Sequence, residues 1–145
     1  MLDVPTTRLD PDLELPSYAQ VGDAGADLRA AHDQVLAAGG GRALVATGMS
    51  IALPPGYAGF IQPRSGLALN HGVTTLNSPG LIDSGYRGEL KVLLINTDPT
   101  TDHQVHRGDR IAQLVIKSIE QARFVEVDEL APAERGDAGF GSTGR

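Results

Sequence analysis

The sequence predicts an all-β fold, a jelly-roll-like barrel or sandwich with one short helix and a flexible C-terminal arm. Apolar residues recur in short runs with strand-like alternation, and helical spacing is scarce. The chain has 18 Gly and 9 Pro among 145 residues without a low-complexity repeat, which indicates many tight turns. Aromatic residues make up only 4% and Trp is absent, so we expect a core of Val, Ile, Leu and Ala.

The strands follow from runs of apolar residues that end at turn residues. The first run closes with Pro54, Pro55 and Gly56, and a second run returns directly after this turn. The run at residues 89–96 alternates at first and then becomes continuously apolar, which favours a strand buried on both faces. The pattern predicts strands at residues 42–53, 57–62, 89–96, 111–116 and 124–127.

One segment departs from the strand pattern. Residues 65–72 contain good helix formers, with Ser65 at the front and Gly72 at the end. Ser is a favoured N-cap residue, and Gly commonly follows the last helical turn. We therefore predict a helix of one or two turns here, with Ser65 as its N-cap.

Charge and cysteine content exclude several classes of function. The formal net charge is −6 and the pI is near 5.0, which argues against a nucleic-acid or membrane-surface partner. The chain has no Cys, so disulfides and thiolate metal sites are excluded. We find no apolar run of membrane-spanning length and no basic N-terminal leader pattern. These observations together predict a cytoplasmic protein.

Five polar, glycine-rich segments are spread along the chain. The second, with Arg64, Ser65 and Gly66, offers a guanidinium, a hydroxyl and a backbone that a ligand can approach closely, the groups that suit phosphate oxygens. Taken singly, each segment is more commonly an ordinary surface turn. The five segments lie at residues 23–28, 63–68, 80–89, 107–114 and 135–144.

In this order the segments resemble those of the dUTP pyrophosphatase (dUTPase) family of the homotrimeric type. The resemblance spans residues 23–144, nearly the whole chain. It implies hydrolysis of dUTP to dUMP and pyrophosphate, with Mg²⁺ as cofactor. It also implies a homotrimer whose three sites lie between subunits, with a small-molecule substrate and neither nucleic acid nor membrane as a partner.

The same resemblance implies a role for individual residues. Asp83 matches the residue that activates the attacking water, and Tyr86 matches the residue that selects deoxyribose. Asp27 matches the metal-side carboxylate, acting through water. We expect residues 83–86 to form the tip of a hairpin between residues 81–82 and 89–91. The other substrate-binding residues implied are Arg64, Ser65, Gly66, Asn77, Leu81, Ile82, Lys91, Gln113, Arg135, Phe140, Gly141 and Ser142.

The end of the chain differs in composition from the rest. Residues 134–145 are rich in Gly and hold almost nothing apolar except Phe140, so they cannot bury enough surface to order themselves. We predict a β-barrel domain at residues 1–133 and an arm at residues 134–145. The resemblance implies that this arm closes over the nucleotide, with Phe140 stacked on uracil.

Two alternatives remain on the same scaffold. A dCTP deaminase-like enzyme needs a glutamate general base, and its hairpin lacks the tyrosine, whereas this chain has Asp83 and Tyr86 in the hydrolase arrangement. A nonenzymatic nucleotide-binding module would have little use for a closing arm. Asp109 and Arg110 are interpreted as structural ion-pair residues, and none of the four His residues is assigned a catalytic role.

Overall fold

The computed structural model describes residues 1–133 and residue 136. Six of the strands are only three or four residues long, and sequence alternation did not predict them because so short a run shows no clear period. The elements are β1 (Thr6–Arg8), β2 (Ala26–Arg29), β3 (Gln34–Leu36), β4 (Arg42–Ile51), β5 (Tyr57–Gln62), α1 (Ser65–His71), β6 (Val73–Thr75), β7 (Gly80–Ile82), β8 (Glu89–Asn96), β9 (His103–Val105) and β10 (Arg110–Ser118).

The strands form two four-stranded sheets and one two-stranded sheet. The strand orders are β1-β4-β8-β6, β2-β10-β5-β7 and β3-β9, and every pairing is antiparallel. One apolar cluster takes residues from all three sheets, including Leu28, Val45, Leu90, Val105 and Leu114. The prediction of an all-β, jelly-roll-like fold with one short helix is confirmed.

Strand β8 corrects one prediction about burial. Leu90, Val92 and Leu94 are buried, whereas Lys91 on the opposite face is exposed and Leu93 is only half-buried. The strand therefore alternates between a core face and an outer face, as one side of a sandwich does. The expectation that it is buried on both faces is wrong for the single chain.

The helix forms where it was predicted but begins differently. Arg64 occupies the N-cap position with an extended backbone and makes no side-chain capping bond, so the expectation that Ser65 is the N-cap is wrong. Ser65 is instead the first helical residue. Gly72 ends the helix at φ 64°, a left-handed conformation that favours glycine, and its N–H donates to the carbonyl of Ala68.

Two further expectations are corrected by strand pairing. Residues 124–127 do not form a strand, and Phe124 is 96% exposed, because no described strand edge pairs with this segment. Residues 83–86 are not the tip of a hairpin, since β7 pairs with β5 while β8 pairs with β4 and β6. They lie in the connection between the two large sheets, which is tightened by a 3.1 Å bond from the N–H of Tyr86 to the carbonyl of Asp83.

Candidate active site

A cavity of about 450 Å³ opens beside the middle of the sheet β2-β10-β5-β7; we call it the basic cavity. Strand β10 lies between β2 and β5, and its Gln113 is in register with Asp27 on one side and Gln62 on the other. Because Gln62 ends β5, the chain enters the cavity directly afterwards. The cavity is lined by Ala19, Asp23, Ala24, Gly25, Asp27, Arg64, Ser65, Gly66, Arg110, Gln113 and Val115.

Asp27 is shared by two guanidinium groups in this cavity. Its Oδ1 lies 3.4 Å from Arg64 Nε, and its Oδ2 accepts a 3.1 Å hydrogen bond from Arg110 Nη1. Its side chain is 21% exposed. One carboxylate faces two cations, so these three side chains carry a net positive charge, and the Asp23 carboxylate, which also lines the cavity, offsets it. The two guanidinium groups can still donate to an anionic ligand.

The sequence predicts Arg110 and Asp109 to be structural ion-pair residues. Arg110 does form an ion pair, with Asp27, and it also lines the basic cavity, which was not expected. The carboxylate of Asp109 instead accepts a 2.8 Å bond from the backbone N–H of His106. Arg110 belongs to the fourth glycine-rich segment, and that position was the only sequence feature pointing to the site.

Gln113 and Gly25 shape the floor of the basic cavity. Gln113 Nε2 donates to the carbonyl of Pro63 at 3.0 Å, which ties β10 to the residue before Arg64. A Cβ atom added to Gly25 would collide with the Gln113 side chain. Glycine at position 25 thus permits the close approach that keeps this amide in place.

A second cavity, of about 290 Å³, lies where β7 and β8 diverge; we call it the β7–β8 cavity. Tyr86 Oη donates a 2.9 Å hydrogen bond to the carbonyl of Glu89, which fixes the tyrosine ring. Glu89 Oε1 accepts a 3.0 Å bond from the N–H of Gly48, and Glu89 Oε2 lies 3.8 Å from Lys91 Nζ. The cavity is lined by Leu44, Ile61, Asn77, Gly80, Leu81, Ile82, Asp83, Tyr86, Glu89 and Lys91.

Asp83 presents its carboxylate openly to this second cavity. The residue is exposed, and its side chain makes no hydrogen bond or ion pair with any described residue. A carboxylate of this kind is free to accept a hydrogen bond from water. Asp83 thus differs from Asp27, which is partly buried and paired with two guanidinium groups.

The structure groups the predicted site residues into two sets rather than one. Asp27, Arg64, Ser65, Gly66 and Gln113 line the basic cavity, and no residue of that cavity lines the β7–β8 cavity. Strands β2 and β7 form opposite edges of one sheet, so they are roughly 14 Å apart at ordinary strand spacing. Within a single chain, Asp83 and Arg64 do not meet in one cavity.

Four predicted substrate-binding residues lie outside the described part of the chain. These are Arg135, Phe140, Gly141 and Ser142. Between residues 1 and 133, with residue 136, no cluster of three or more His, Cys, Asp or Glu side chains could hold a metal ion. No helix in the same residues is long and apolar enough to cross a membrane.

Two histidines occupy a third cavity, of about 320 Å³, that shares Arg64 and Arg110 with the basic cavity. The rings of His71 and His103 have centroids 4.8 Å apart. Burial lowers the pKa of His103 below its ordinary value of 6.5, and the neighbouring His71 lowers it further, while Asp109 raises it. No sequence spacing indicated this pair.

Comparison with known proteins identifies the family. The dUTPase family model matches residues 12–144. The chain belongs to the dUTPase family. The family resemblance carried by the five glycine-rich segments is thereby confirmed.

Relatives and a solved structure agree with this assignment. A deoxyuridine 5'-triphosphate nucleotidohydrolase of Thermobifida fusca is 66% identical over 94% of this chain and 76% of that protein. The protein of the same description from Streptomyces coelicolor is 54% identical over 99% of this chain and 78% of that protein. A solved mutant dUTPase of Staphylococcus bacteriophage 80alpha with dUpNHpp is 26% identical, has a TM-score of 0.91 and covers 100% of both chains.

Proposed function

We propose that this dUTPase-family chain hydrolyses dUTP to dUMP and pyrophosphate, with Asp83 directing a water molecule at the α-phosphorus. The observation that carries the proposal is the division of the site into a basic cavity suited to phosphates and a β7–β8 cavity with an open carboxylate and a fixed tyrosine ring. The dUMP product contains the base, the sugar and the attacked phosphate. The two cavities thus match the two ends of one substrate.

The basic cavity would bind the phosphate end of the substrate. Arg64 supplies a guanidinium, Ser65 a hydroxyl and Gln113 an amide, all of which can donate to phosphate oxygens. Gly66 lets the backbone approach the ligand. Phosphoryl transfer depends chiefly on positioning and on neutralising charge, and these groups provide both.

The β7–β8 cavity would bind the nucleoside end of the substrate. The Tyr86 ring is held by its bond to the Glu89 carbonyl, so it can lie against a deoxyribose and exclude a 2′-hydroxyl by contact. Asp83 has no partner among the described residues and accepts a proton from the attacking water as general base. Contacts to base and sugar are assigned to Asn77, Leu81, Ile82 and Lys91.

The residues fit a magnesium ion that is held mainly by water and by the substrate. Each Asp27 oxygen faces one guanidinium, which leaves acceptor positions on a carboxylate that is still 21% exposed. Mg²⁺ retains several waters and needs few protein ligands besides phosphates. Asp27 would hold such an ion through water, and the bound ion would neutralise charge on the phosphates.

The separation of the two cavities supports a site shared between subunits. We propose a homotrimer in which the basic cavity of one subunit and the β7–β8 cavity of another serve the same nucleotide. We further propose that residues 1–133 form the barrel and residues 134–145 an arm that covers the site. In the arm, Arg135 would contact phosphate, Phe140 would stack on uracil, and Gly141 and Ser142 would donate to the ligand.

A nucleotide panel tests the proposed reaction. The protein is incubated with Mg²⁺ and dUTP, UTP, dCTP or dTTP, and both pyrophosphate and ammonia are measured. We expect pyrophosphate from dUTP, and a kcat/KM for UTP lower by at least about a hundredfold because Tyr86 excludes the 2′-hydroxyl. Ammonia from dCTP would support a deaminase instead. Similar kcat/KM values for UTP and dUTP would contradict the role of Tyr86.

The arm is tested separately by removing residues 134–145. We expect kcat/KM for dUTP to fall by about a hundredfold or more because the site then stays open to water. Size-exclusion chromatography should show an unchanged oligomer. Full activity in the truncated protein would remove the arm from the mechanism.

A further inference from the structure

Strand β10 contains a β-bulge at its N-terminal end, and Arg110 is the residue just before the bulge. Opposite β2, Ala112 is in register with Leu28, but Arg110 is in register with Arg29, so β10 has one extra residue, Ile111. Alternate residues of a regular strand share a face, and Ala112 and Leu114 are both buried in the core. If residues 110–114 formed a regular strand without the bulge, Arg110 would point into that core as well.

The bulge thus turns Arg110 to the face that carries Asp27 and Gln113. Ile111 takes the inward position instead and is buried. Bulges often redirect a side chain next to an active site. Here the redirected guanidinium reaches Asp27 Oδ2 at 3.1 Å, although it remains 46% exposed.

The bulge also holds Arg64. Arg64 Nη1 donates to the backbone carbonyl of Arg110 at 2.8 Å, while its Nε lies 3.4 Å from Asp27 Oδ1. Arg110 therefore binds Asp27 through its side chain and Arg64 through its backbone. The contact of Arg110 with Asp27 is the shorter of the two ion pairs.

We propose that Arg110 is a positioning residue that keeps Asp27 paired, so that the Arg64 guanidinium is available to a substrate phosphate. The inference rests on the proposed function of the basic cavity. If Arg64 were the only partner of Asp27, its transfer to a phosphate would leave a half-buried carboxylate without a counter-charge. With Arg110 present, one cation stays on Asp27 and the other binds the ligand.

The first test is steady-state kinetics of Arg110→Ala in the full-length protein with Mg²⁺ and dUTP. We expect KM to rise about tenfold and kcat to stay within about threefold of wild type, because substrate binding is affected more than the water attack at Asp83. Arg110→Lys keeps a cation near Asp27 and should recover most of the affinity. Arg110→Gln serves as a second neutral variant in case the alanine variant is poorly folded.

Arg29→Ala is the matched control. Arg29 is in register with Arg110 on the neighbouring strand, but it binds Glu14 and the carbonyl of Gly108 and does not line the basic cavity. Its removal should leave KM for dUTP unchanged within about twofold. An equal loss in Arg29→Ala and Arg110→Ala would mean a general effect on the strand pair and would overturn the proposal.

A double-mutant cycle separates positioning from direct binding of the phosphate. The dissociation constants of dUpNHpp and of inorganic pyrophosphate are measured by calorimetry in a chelator. Asp27→Asn should strengthen binding about tenfold in the Arg110→Ala protein, where it releases Arg64, and by less than about threefold when Arg110 is present.

An additive cycle would show that Arg110 acts on the ligand itself and would overturn the proposal. The pyrophosphate probe reports on the basic cavity without any nucleoside. Failure of the wild-type protein to cleave dUTP would count against the proposed function, whereas the cycle would still decide the role of Arg110.

Discussion

At the scale of single residues, two aspartates show how surroundings assign a role. Asp27 is partly buried and paired with two guanidinium groups, so its charge holds these two cations in place. Asp83 is exposed and makes no side-chain bond within the described residues, so its oxygens can bind and activate water. Under the proposed function, the same residue type would hold Mg²⁺ through water in one cavity and act as a general base in the other.

Replacing Asp83 by Ala separates these roles. We expect kcat for dUTP to fall by at least about a hundredfold because the general base is lost. The dissociation constant of dUpNHpp should change by less than about threefold, since binding relies on other groups. Asp12→Ala, which removes another exposed carboxylate, is the control and should retain full activity. Undiminished pyrophosphate release by the Asp83 variant would refute its role.

At the scale of elements, a buried amide joins three pieces of backbone. Asn96, at the end of β8, donates from Nδ2 to the carbonyls of Leu36 and Thr101, and its Oδ1 accepts from the N–H of Asp98. It is fully buried. Thr75 on neighbouring β6 is also buried, but its Oγ1 has no hydrogen-bond partner among the described residues.

These two residues form a matched pair for stability. Asn96→Ala should lower the free energy of unfolding by about 2–4 kcal/mol because it leaves buried carbonyls and an N–H unpaired. Thr75→Val removes a hydroxyl that makes no bond, so it should be neutral or stabilising by up to about 1 kcal/mol. Denaturant unfolding measures both. A larger loss in the threonine variant would contradict this account of the β6–β8 edge.

The histidine pair between α1 and β9 predicts a pH dependence of stability. The pKa of His103 is lowered in the folded protein, so below its ordinary value of 6.5 the unfolded chain binds more protons than the folded one. Stability should therefore fall as the pH drops below 6.5. His71, Asp109, Arg64 and Arg110 share the cavity with His103, and Asp109 alone opposes the shift.

Thermal unfolding between about pH 7 and pH 5 measures this effect. His103→Gln should reduce the loss of Tm on acidification because it removes the group that resists protonation. His106→Gln is the control, since His106 is exposed and lies 3.8 Å from Asp33. Equal slopes in the wild type and in His103→Gln would show that other groups cause the acid sensitivity.

At the scale of the whole molecule, the proposed trimer would bring the two halves of the divided site together. The outer face of the sheet β1-β4-β8-β6 carries a row of leucines beside the β7–β8 cavity: Leu44 is in register with Leu93, and the N–H of Leu76 donates to the Leu93 carbonyl. Leu44 is 58% exposed in the single chain. We infer that this row lies at the contact with another subunit.

Complementation tests the shared site. Arg64→Ala damages only the basic cavity and Asp83→Ala only the β7–β8 cavity, so each homogeneous protein should be nearly inactive. When the two are unfolded and refolded together, about a quarter of the sites formed between neighbours should have both halves intact. Recovery of activity to that level is expected. No recovery, despite mixed oligomers seen by mass spectrometry, would place the whole site within one chain.

Local pattern predicted several elements well. The strand at residues 57–62 coincides with β5, and the helix ends at Gly72 as its left-handed conformation requires. Residues 124–127 have the same apolar alternation but form no strand, because pairing depends on a neighbouring edge and not on the segment itself. The prediction of a hairpin tip at residues 83–86 is wrong for the same reason, since the flanking strands β7 and β8 pair with other partners.

The sequence by itself determined the all-β class and the family, and it predicted the residues that we propose to handle phosphate and water. These follow from alternation, turn residues and the order of five segments, which are all local properties of the chain. Only the tertiary structure decided that Arg110 faces Asp27 and that Asp83 and Arg64 lie in separate cavities. The bulge in β10 turns the Arg110 side chain to the other face of the sheet, and strand pairing decides which cavities form. Both depend on contacts between strands, so the spacing of residues within one segment does not reveal them.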